Sequence, residues 1–170
     1  MKTRIPETIK EEELLKIVND KELKDKPKKR LAYLLGFYNC LRISEIIKLK
    51  PEDFTPNDKL LHIKEAKGNK DRNIPIAPEV AKLIKHLPYG KGIRGLQKAF
   101  AKDSLRILGK RHHMHTLRHS GATYYLNEKH WDIRQLQVFL GHSNIAMTQR
   151  YTHVNPEALT KIMYQDYEGE

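Results

Sequence analysis

Residues 115–126, HTLRHSGATYYL, concentrate cationic side chains on one turn of a predicted helix. His115 and Arg118 are three positions apart, so they are neighbours on one face of that helix. Such a pair could bind a phosphate, could ligate a metal ion with other histidines, or could belong to an ordinary charged surface. Other parts of the chain have to decide between these three interpretations.

Thr116 can cap this helix, whose N-terminal end carries a partial positive charge that attracts anions. If His115 and Arg118 face a phosphate, the tyrosines that follow them belong mostly to the core. The side of the helix that we expect to be packed contains Leu117, Gly121, Tyr124 and Tyr125.

Four more residues with suitable chemistry lie outside this motif. Arg42 opens a turn after an apolar helix, and Lys67 lies at the tip of a predicted hairpin. His142 lies in the turn LGHS, and Tyr151 follows it by nine residues. Taken singly, each has an ordinary structural explanation: a helix-end ion pair for Arg42, a solvated turn for Lys67, and packing for the other two.

The charge composition favours a polyanionic partner. The chain of 170 residues has 32 Lys and Arg against 21 Asp and Glu, which gives a formal net charge of +11. Nucleic acid is the first candidate for such a chain. The alternative is an ion-pair-rich surface of the kind found in thermophilic proteins, because Lys and Glu are both abundant.

Several classes of protein are disfavoured. Cys40 is the only cysteine, which excludes an intramolecular disulfide and a cysteine-based zinc site. No apolar run approaches the length of a membrane span, and the N-terminus MKTRIPETIKEEELL lacks the apolar core of a signal peptide. We therefore expect a cytoplasmic protein without a membrane partner.

The hydrophobic periodicity predicts one domain of class α+β, predominantly helical, with a small antiparallel sheet packed on a helical core. Residues 59–66 and 72–77 are short extended runs joined by KGNKD, so a hairpin over about 59–76 is predicted. Ser44 is the predicted cap of a short helix that Pro51 ends. Helices are predicted over 6–20, 26–41, 45–50, 78–87, 94–108, 116–128, 132–140, 144–154 and 156–170.

Four segments, in order along the chain, closely resemble the signature boxes of tyrosine recombinases of the phage-integrase and Xer type. The resemblance extends from about Pro6 to about Val154. Four ordered boxes are a more specific signal than any single residue among them. The segments are CLRISEIIKL, KGNKDRNIPI, HTLRHSGATYYL and LGHSNIAMTQRYTHV.

The resemblance implies a tyrosine-recombinase catalytic-domain fold. The activity it implies is cleavage and rejoining of DNA strands through a 3′-phosphotyrosine intermediate, in site-specific recombination or integration. It also implies that Tyr151 is the nucleophile, that Glu45 and His119 support the site, and that the reaction needs no metal or other cofactor. The implied active site consists of Arg42, Lys67, His115, Arg118, His142 and Tyr151.

These residue types suit that reaction. Attack on a phosphodiester creates a five-coordinate transition state with added negative charge, which the planar guanidiniums of Arg42 and Arg118 can stabilise. His115 is a reasonable proton acceptor for the phenol, and Lys67 can protonate the leaving 5′ oxygen. His142 would donate a hydrogen bond to a phosphate oxygen.

The chain departs from the family pattern in two ways. Cys40 stands where the family usually has glycine, which we expect to alter packing more than chemistry. Members usually carry an N-terminal helical domain that grips the other side of the DNA, and we expect that core-binding domain to be absent here. Residues 1–170 are then a single catalytic domain, with a core over about 6–154. The chain is either a fragment of a longer recombinase or a natural short form.

The partner implied is double-stranded DNA, on which the protein would assemble. One nucleophile per protomer cuts one strand, so exchanging two duplexes requires four protomers. The tail helix over 156–170 could dock into a neighbouring protomer or fold back on its own core, and both arrangements stay open. Its apolar stripe consists of Leu159, Ile162 and Met163.

Three other interpretations also stay open. A basic DNA-binding module without catalysis would explain the charge and the helices. Relaxation of supercoils, as by type IB topoisomerases, would use the same kind of nucleophile. A metal site would have to draw on His112, His113 and His115 with His119 or His142, although no acidic residue is among these candidate ligands.

Overall fold

The computed structural model describes residues 7–64, 71–141 and 156–165. These residues form the expected α+β architecture, with eight α-helices, two short 3-10 helices and a three-stranded antiparallel sheet. None of these helices is both long and apolar enough to span a membrane. The α-helices are α1 (Glu11–Val18), α2 (Pro27–Tyr38), α3 (Ile43–Lys48), α4 (Pro78–Ala81), α5 (Ile93–Leu108), α6 (Met114–Asn127), α7 (Ile133–Leu140) and α8 (Pro156–Tyr164). The strands are β1 (Phe54–Thr55), β2 (Leu60–Ile63) and β3 (Arg72–Pro75), and the 3-10 helices are Pro51–Asp53 and Ile84–His86.

Helix α2 is the centre of the core. Pro27 occupies its first turn, where the missing N–H has no helical partner to lose. Every residue from Leu31 to Tyr38 is buried, so the helix is surrounded by other elements. The buried Asn39 that follows donates from Nδ2 to the Pro75 carbonyl at 2.8 Å. This bond fixes the end of α2 against β3.

The predicted hairpin is confirmed. Strands β2 and β3 pair antiparallel, with Leu61 opposite Ile74 and Ile63 opposite Arg72. Leu61, Ile63 and Ile74 are buried, which places one face of the sheet on the core. Strand β1 pairs with the outer edge of β2 and was not predicted, because two residues are too few to show a period.

Two predicted helix caps are wrong. Helix α3 begins one residue before Ser44, because the Glu45 carboxylate accepts the backbone N–H of Arg42 at 2.7 Å and makes Arg42 the N-cap. Helix α6 begins two residues before Thr116, with His113 at its N-cap. In each case the residue with the best intrinsic capping propensity lies inside the helix.

Other boundaries lie close to the prediction for α5 and α7, and differ elsewhere. Helix α1 is shorter than predicted. It packs on the core through Leu14, Ile17 and Val18, whereas Leu15 is exposed. The predicted helix over 78–87 divides into α4 and a 3-10 helix. The predicted helix over 144–154 lies outside the described residues.

Helix α8 packs against the sheet of its own chain. Leu159 and Met163 are buried, and the Tyr164 hydroxyl donates to the Ile76 carbonyl at 3.0 Å. The apolar stripe therefore covers the core of the same chain, which is one of the two arrangements that the sequence left open. Docking of this helix into a neighbouring protomer stays a prediction about the assembly.

Candidate active site

Arg42 and Glu45 form a fixed pair at the start of α3. The Glu45 carboxylate accepts from the Arg42 backbone N–H at 2.7 Å and from Arg42 Nη1 at 3.2 Å. The Glu45 side chain is buried, whereas 38% of the Arg42 side chain is exposed. The guanidinium is thus anchored by Glu45 while part of the side chain stays accessible, as binding an anion requires.

Arg118 reaches the same place from α6. Its Nη1 donates to the Cys40 carbonyl, and its Nη2 donates to the Leu140 carbonyl at 3.1 Å. Nη1 also lies 3.8 Å from Glu45 Oε2. Because the two carbonyls follow α2 and end α7, Arg118 fastens two helix ends together as well as completing the cationic cluster.

Arg72 is the member of this cluster that the sequence analysis missed. It is the first residue of β3, its side chain is only 11% exposed, and its Nη1 donates to Glu45 Oε1 at 2.9 Å. A signal was present: Arg72 is two residues before Ile74, hence on the core-facing side of the strand. A charged side chain on that side needs a buried partner of opposite charge.

The charges in the cluster act on one another. Burial lowers the pKa of Arg118, and the neighbouring Arg42 lowers it further, while Glu45 opposes both effects. Burial acts to raise the pKa of Glu45, but Arg72, Arg42 and Arg118 outweigh it and hold that pKa below its usual value. Glu45 is therefore ionised, and three guanidiniums around one carboxylate leave an excess of two positive charges.

His115 and His119 lie one turn apart on the exposed side of α6. Their ring centroids are 4.4 Å apart, with one edge facing the other ring. Partial burial lowers the pKa of His115, and His119, Arg118 and Arg42 lower it further. His115 is therefore neutral at pH 7 and able to accept a proton.

The neighbouring histidines have separate partners. The His112 backbone N–H donates to Ser104 Oγ at 3.0 Å, and His113 Nδ1 lies 2.9 Å from Gln97 Nε2. Within the part of the chain that the structure describes, no group of three or more His, Cys, Asp or Glu side chains could hold a metal ion. The run HHMH therefore does not converge on one point there.

The backbone at Cys40 explains why glycine is usual at this position in the family that the chain resembles. Cys40 follows the last turn of α2 with φ +49°, a conformation that glycine adopts without steric cost. The thiol is fully buried and donates to the Phe37 carbonyl at 3.3 Å. Burial raises its pKa to about 12, so Cys40 stays protonated and is a poor nucleophile.

Three buried tyrosines have structural roles. The Tyr33 hydroxyl donates to Asp103 at 2.7 Å, Tyr38 to Glu11 at 2.6 Å, and Tyr125 to the Tyr38 carbonyl at 2.6 Å. Burial raises the pKa of all three phenols. They ionise poorly, and Tyr125 belongs to the core, as predicted for the tyrosines after His115 and Arg118.

Three predicted site residues, Lys67, His142 and Tyr151, lie outside the described residues. β2 and β3 precede and follow the segment that holds Lys67, and Gly141 directly precedes His142 in the chain. The predicted residues that the structure brings to one end of α6 are Arg42, Glu45, His115, Arg118 and His119.

The charged surface has two parts. Three cations, spaced by four residues, form an exposed stripe on α5: Arg94, Lys98 and Lys102. Other cations pair with carboxylates: Lys64 with Asp53, Arg106 with Asp20, and Lys110 with Glu7. Both explanations of the net charge, a polyanionic partner and ion pairing, thus have a counterpart among the described residues.

Comparison with known sequences agrees with the resemblance found in the four sequence segments. The chain matches the model of the phage integrase family over residues 7–99 and 90–158. The tyrosine recombinase XerA of Pyrococcus furiosus is 35% identical, over 91% of this chain and 60% of its own length. The chain spans about 60% of the length of the curated relatives it matches.

Two solved structures have a similar fold. The integrase of mycobacterium phage Brujita gives a TM-score of 0.78 at 19% identity, over 94% of this chain and 57% of that one. The XerH site-specific recombinase, solved bound to its difH substrate, gives 0.62 at 25% identity, over 87% and 50%. Both likenesses cover most of this chain and about half of the other.

Proposed function

Since this chain belongs to the phage integrase family, we propose that it cleaves and rejoins DNA strands through a 3′-phosphotyrosine intermediate. Its fold is that of tyrosine-recombinase catalytic domains, and the reaction would serve site-specific recombination or integration. The observation that carries the proposal is the meeting of Arg42 and Arg118, from α3 and α6, around the buried Glu45.

The arginines supply what the reaction needs most. A phosphodiester already carries one negative charge, and its five-coordinate transition state carries more. Arg42 and Arg118 are held in place before any ligand binds, so they pay no cost of reorganisation when that charge develops. Losing one such donor typically lowers the rate by about 10²–10³-fold.

The proton and electron movements follow from the proposed roles. The Tyr151 oxygen attacks the phosphorus, its proton passes to His115, and the bond from phosphorus to the 5′ oxygen breaks. Lys67 gives a proton to that leaving oxygen, and His142 donates a hydrogen bond to a phosphate oxygen. Rejoining is the reverse reaction, because the phosphotyrosine keeps the energy of the broken diester. It therefore needs no ATP and no other cofactor.

The proposed partner is double-stranded DNA. The net charge of +11 and the exposed stripe on α5 support it, and a family relative, XerH, is solved bound to its difH substrate. Four copies would be needed on DNA to exchange two duplexes, because each contributes one nucleophile. Exchange of helix α8 between neighbouring copies would be one way to hold such an assembly together.

Covalent trapping on DNA tests the proposal. The probe is a nicked duplex, its sequence selected from a random pool by binding to the wild-type protein. The nick lets the short leaving strand diffuse away, so the covalent product accumulates and is seen on a denaturing gel. We expect an adduct with wild type and with Tyr124→Phe, and none with Tyr151→Phe.

The Arg118→Ala variant and binding without cleavage give two further comparisons. Arg118→Ala should form the adduct about 10²–10³-fold more slowly. It should also melt at a lower temperature, because the Cys40 and Leu140 carbonyls lose their donor. Binding of the selected duplex without any adduct from wild type would overturn the enzyme in favour of a non-catalytic DNA-binding module.

A further inference from the structure

Arg72 joins the hairpin to the phosphate site through Glu45. Its side chain is only 11% exposed, and its Nη1 lies 2.9 Å from Glu45 Oε1. The two residues are 27 positions apart, on β3 and α3. This partly buried ion pair therefore ties two separate elements together at the site.

The Glu45 carboxylate is shared, so Arg72 affects the other two arginines. Oε1 also accepts from Arg42 Nη1 at 3.2 Å, and Oε2 lies 3.8 Å from Arg118 Nη1. Without Arg72, Arg42 and Arg118 would be left as the guanidiniums attracting this carboxylate. Each would then be drawn toward Glu45 and away from the side on which a phosphate would bind.

Arg72 also packs on the turn that leads to His142. An added Cβ at Gly141 would lie 2.8 Å from both Cδ and Nε of Arg72, so the arginine covers that α-carbon. Gly141 has φ +71° and ends α7, directly after the Leu140 carbonyl that Arg118 binds. One side chain thus touches both the carboxylate of α3 and the end of α7.

We propose that Arg72 is a positioning residue of the phosphate site, acting through Glu45 and the Gly141 turn without touching the DNA. It neutralises part of the Glu45 charge and keeps Arg42 and Arg118 directed toward one phosphate. Its side chain is 11% exposed against 38% for Arg42, which places it behind Arg42. Arg118 is exposed to a similarly small degree, at 7%, so the double variant described below distinguishes a positioning residue from one that contacts the phosphate. The inference rests on the proposed function, since it assigns a role within that site.

Two other roles make different predictions. A residue that contacts the phosphate directly would contribute independently of Glu45. A residue that only stabilises the fold would slow every substrate equally. The double variant Glu45→Gln with Arg72→Met distinguishes a positioning residue from one that contacts the phosphate directly. Gln can still cap α3 while the charge of the pair is removed. A substrate with a neutral scissile phosphate distinguishes a positioning residue from one that only stabilises the fold.

The experiment measures the rate of adduct formation with saturating protein on the nicked duplex described above. Arg72→Met should lower the rate by about 10²-fold, and Arg72→Lys by less, because it keeps the charge but not the planar guanidinium. Adding Glu45→Gln to Arg72→Met should slow the reaction no further, or should partly restore it. On a duplex with a methylphosphonate at the scissile position, the deficit of Arg72→Met should shrink about tenfold or more.

Arg106→Met is the matched control, because it removes another arginine that pairs with a carboxylate across elements, at 2.7 Å from Asp20. It should leave the rate unchanged. Three results would each overturn the inference while leaving the enzyme in place. The first is a wild-type rate in Arg72→Met, the second is a double variant whose rate loss is the product of the two single losses, and the third is an equal rate loss of Arg72→Met on the methylphosphonate duplex.

A wild-type protein that forms no adduct overturns the proposed function itself, whatever the variants do. Thermal melting of each variant, measured beforehand, identifies any that fails to fold, in which case Arg72→Lys and the double variant carry the comparison.

Discussion

The guanidinium of Arg118 has two tasks, and both follow from where its nitrogens point. Two of them hold the carbonyls of Cys40 and Leu140, which belong to different helix ends. Together with Arg42 and Arg72 it also gives the site its excess positive charge. A loss of the proposed activity in Arg118→Ala would therefore not report the loss of a phosphate contact alone. Stability has to be measured beside the rate for this residue.

The protonation of His115 leads to a prediction about pH. Its pKa lies below the ordinary 6.5, first through partial burial and then through His119, Arg118 and Arg42. As the proposed proton acceptor it would work only when neutral, so the rate of adduct formation should fall on acidification with a midpoint below pH 6.5. His119→Gln removes one neighbour that lowers the pKa of His115, so the fall should begin at a higher pH.

Single-turnover rates between pH 5 and pH 8 check this. His86→Gln, on the 3-10 helix before α5, is the control and should keep the wild-type profile. A fall centred above 6.5 would contradict the assigned role, and so would an unchanged profile in His115→Gln. The first would mean that His115 is not held neutral, and the second that another group takes the proton.

At the level of residues, the sequence was enough to find the cationic pair on α6. His115 and Arg118 follow from helical spacing, and the grouping of Arg42 with them follows from the ordered boxes. Arg72 did not stand out, because RNIPIA looks like any short strand. Its importance depends on Glu45, 27 positions away, and on a contact with Gly141 that no local pattern encodes.

Helices α2 and α6 approach so closely that a methyl group does not fit between them. A Cβ added at Gly121 would lie 1.9 Å from the Phe37 carbonyl oxygen and 2.8 Å from Cys40 Sγ. Because a backbone oxygen cannot move aside as a side chain can, the helices would have to separate. That separation would shift Arg118, on α6, relative to Arg42, which follows α2.

We therefore expect Gly121→Ala to lower the free energy of unfolding by about 3 kcal/mol. Gly95→Ala is the matched control, since Gly95 lies on the exposed side of α5 with only the Lys91 side chain near its added Cβ, at 3.7 Å. Removing a helical glycine there should stabilise the protein by about 0.5–1 kcal/mol. Urea denaturation measures both, and equal effects would show that the helices are less tightly packed than described.

At the level of elements, the sequence predicted the presence of helices and strands more accurately than the residues at which they begin. Ser44 and Thr116 have good capping propensity, yet Arg42 and His113 take the N-cap positions. The Glu45 side chain decides the first case, because it satisfies the backbone N–H of Arg42 directly. The carboxylate at the centre of the cationic cluster thus sets the start of the helix that positions it.

The net charge belongs to the whole molecule, and its two explanations predict different responses to salt. If the exposed stripe on α5 meets DNA, the logarithm of affinity should fall with the logarithm of salt by about 0.9 for each phosphate neutralised. Lys98→Gln should reduce that slope by about one unit. Lys110→Gln, which removes a lysine that pairs with Glu7 at 3.0 Å, should leave it unchanged.

Titrations of the selected duplex at several salt concentrations measure these slopes. A flat response would favour the ion-paired surface as the main reason for the composition. The same result would remove the charge as a support for a DNA partner and leave the site and the family relatives. Composition alone could not decide this, because it counts charges without showing which of them are paired.

The most direct test of the central claim is to locate the covalent bond. The trapped protein–DNA complex would be digested with nuclease and protease, and the modified peptide identified by mass spectrometry. The account predicts a nucleotide joined through its 3′ phosphate to Tyr151, among the eight tyrosines of the chain. A link to any other residue, or through a 5′ phosphate, would contradict it.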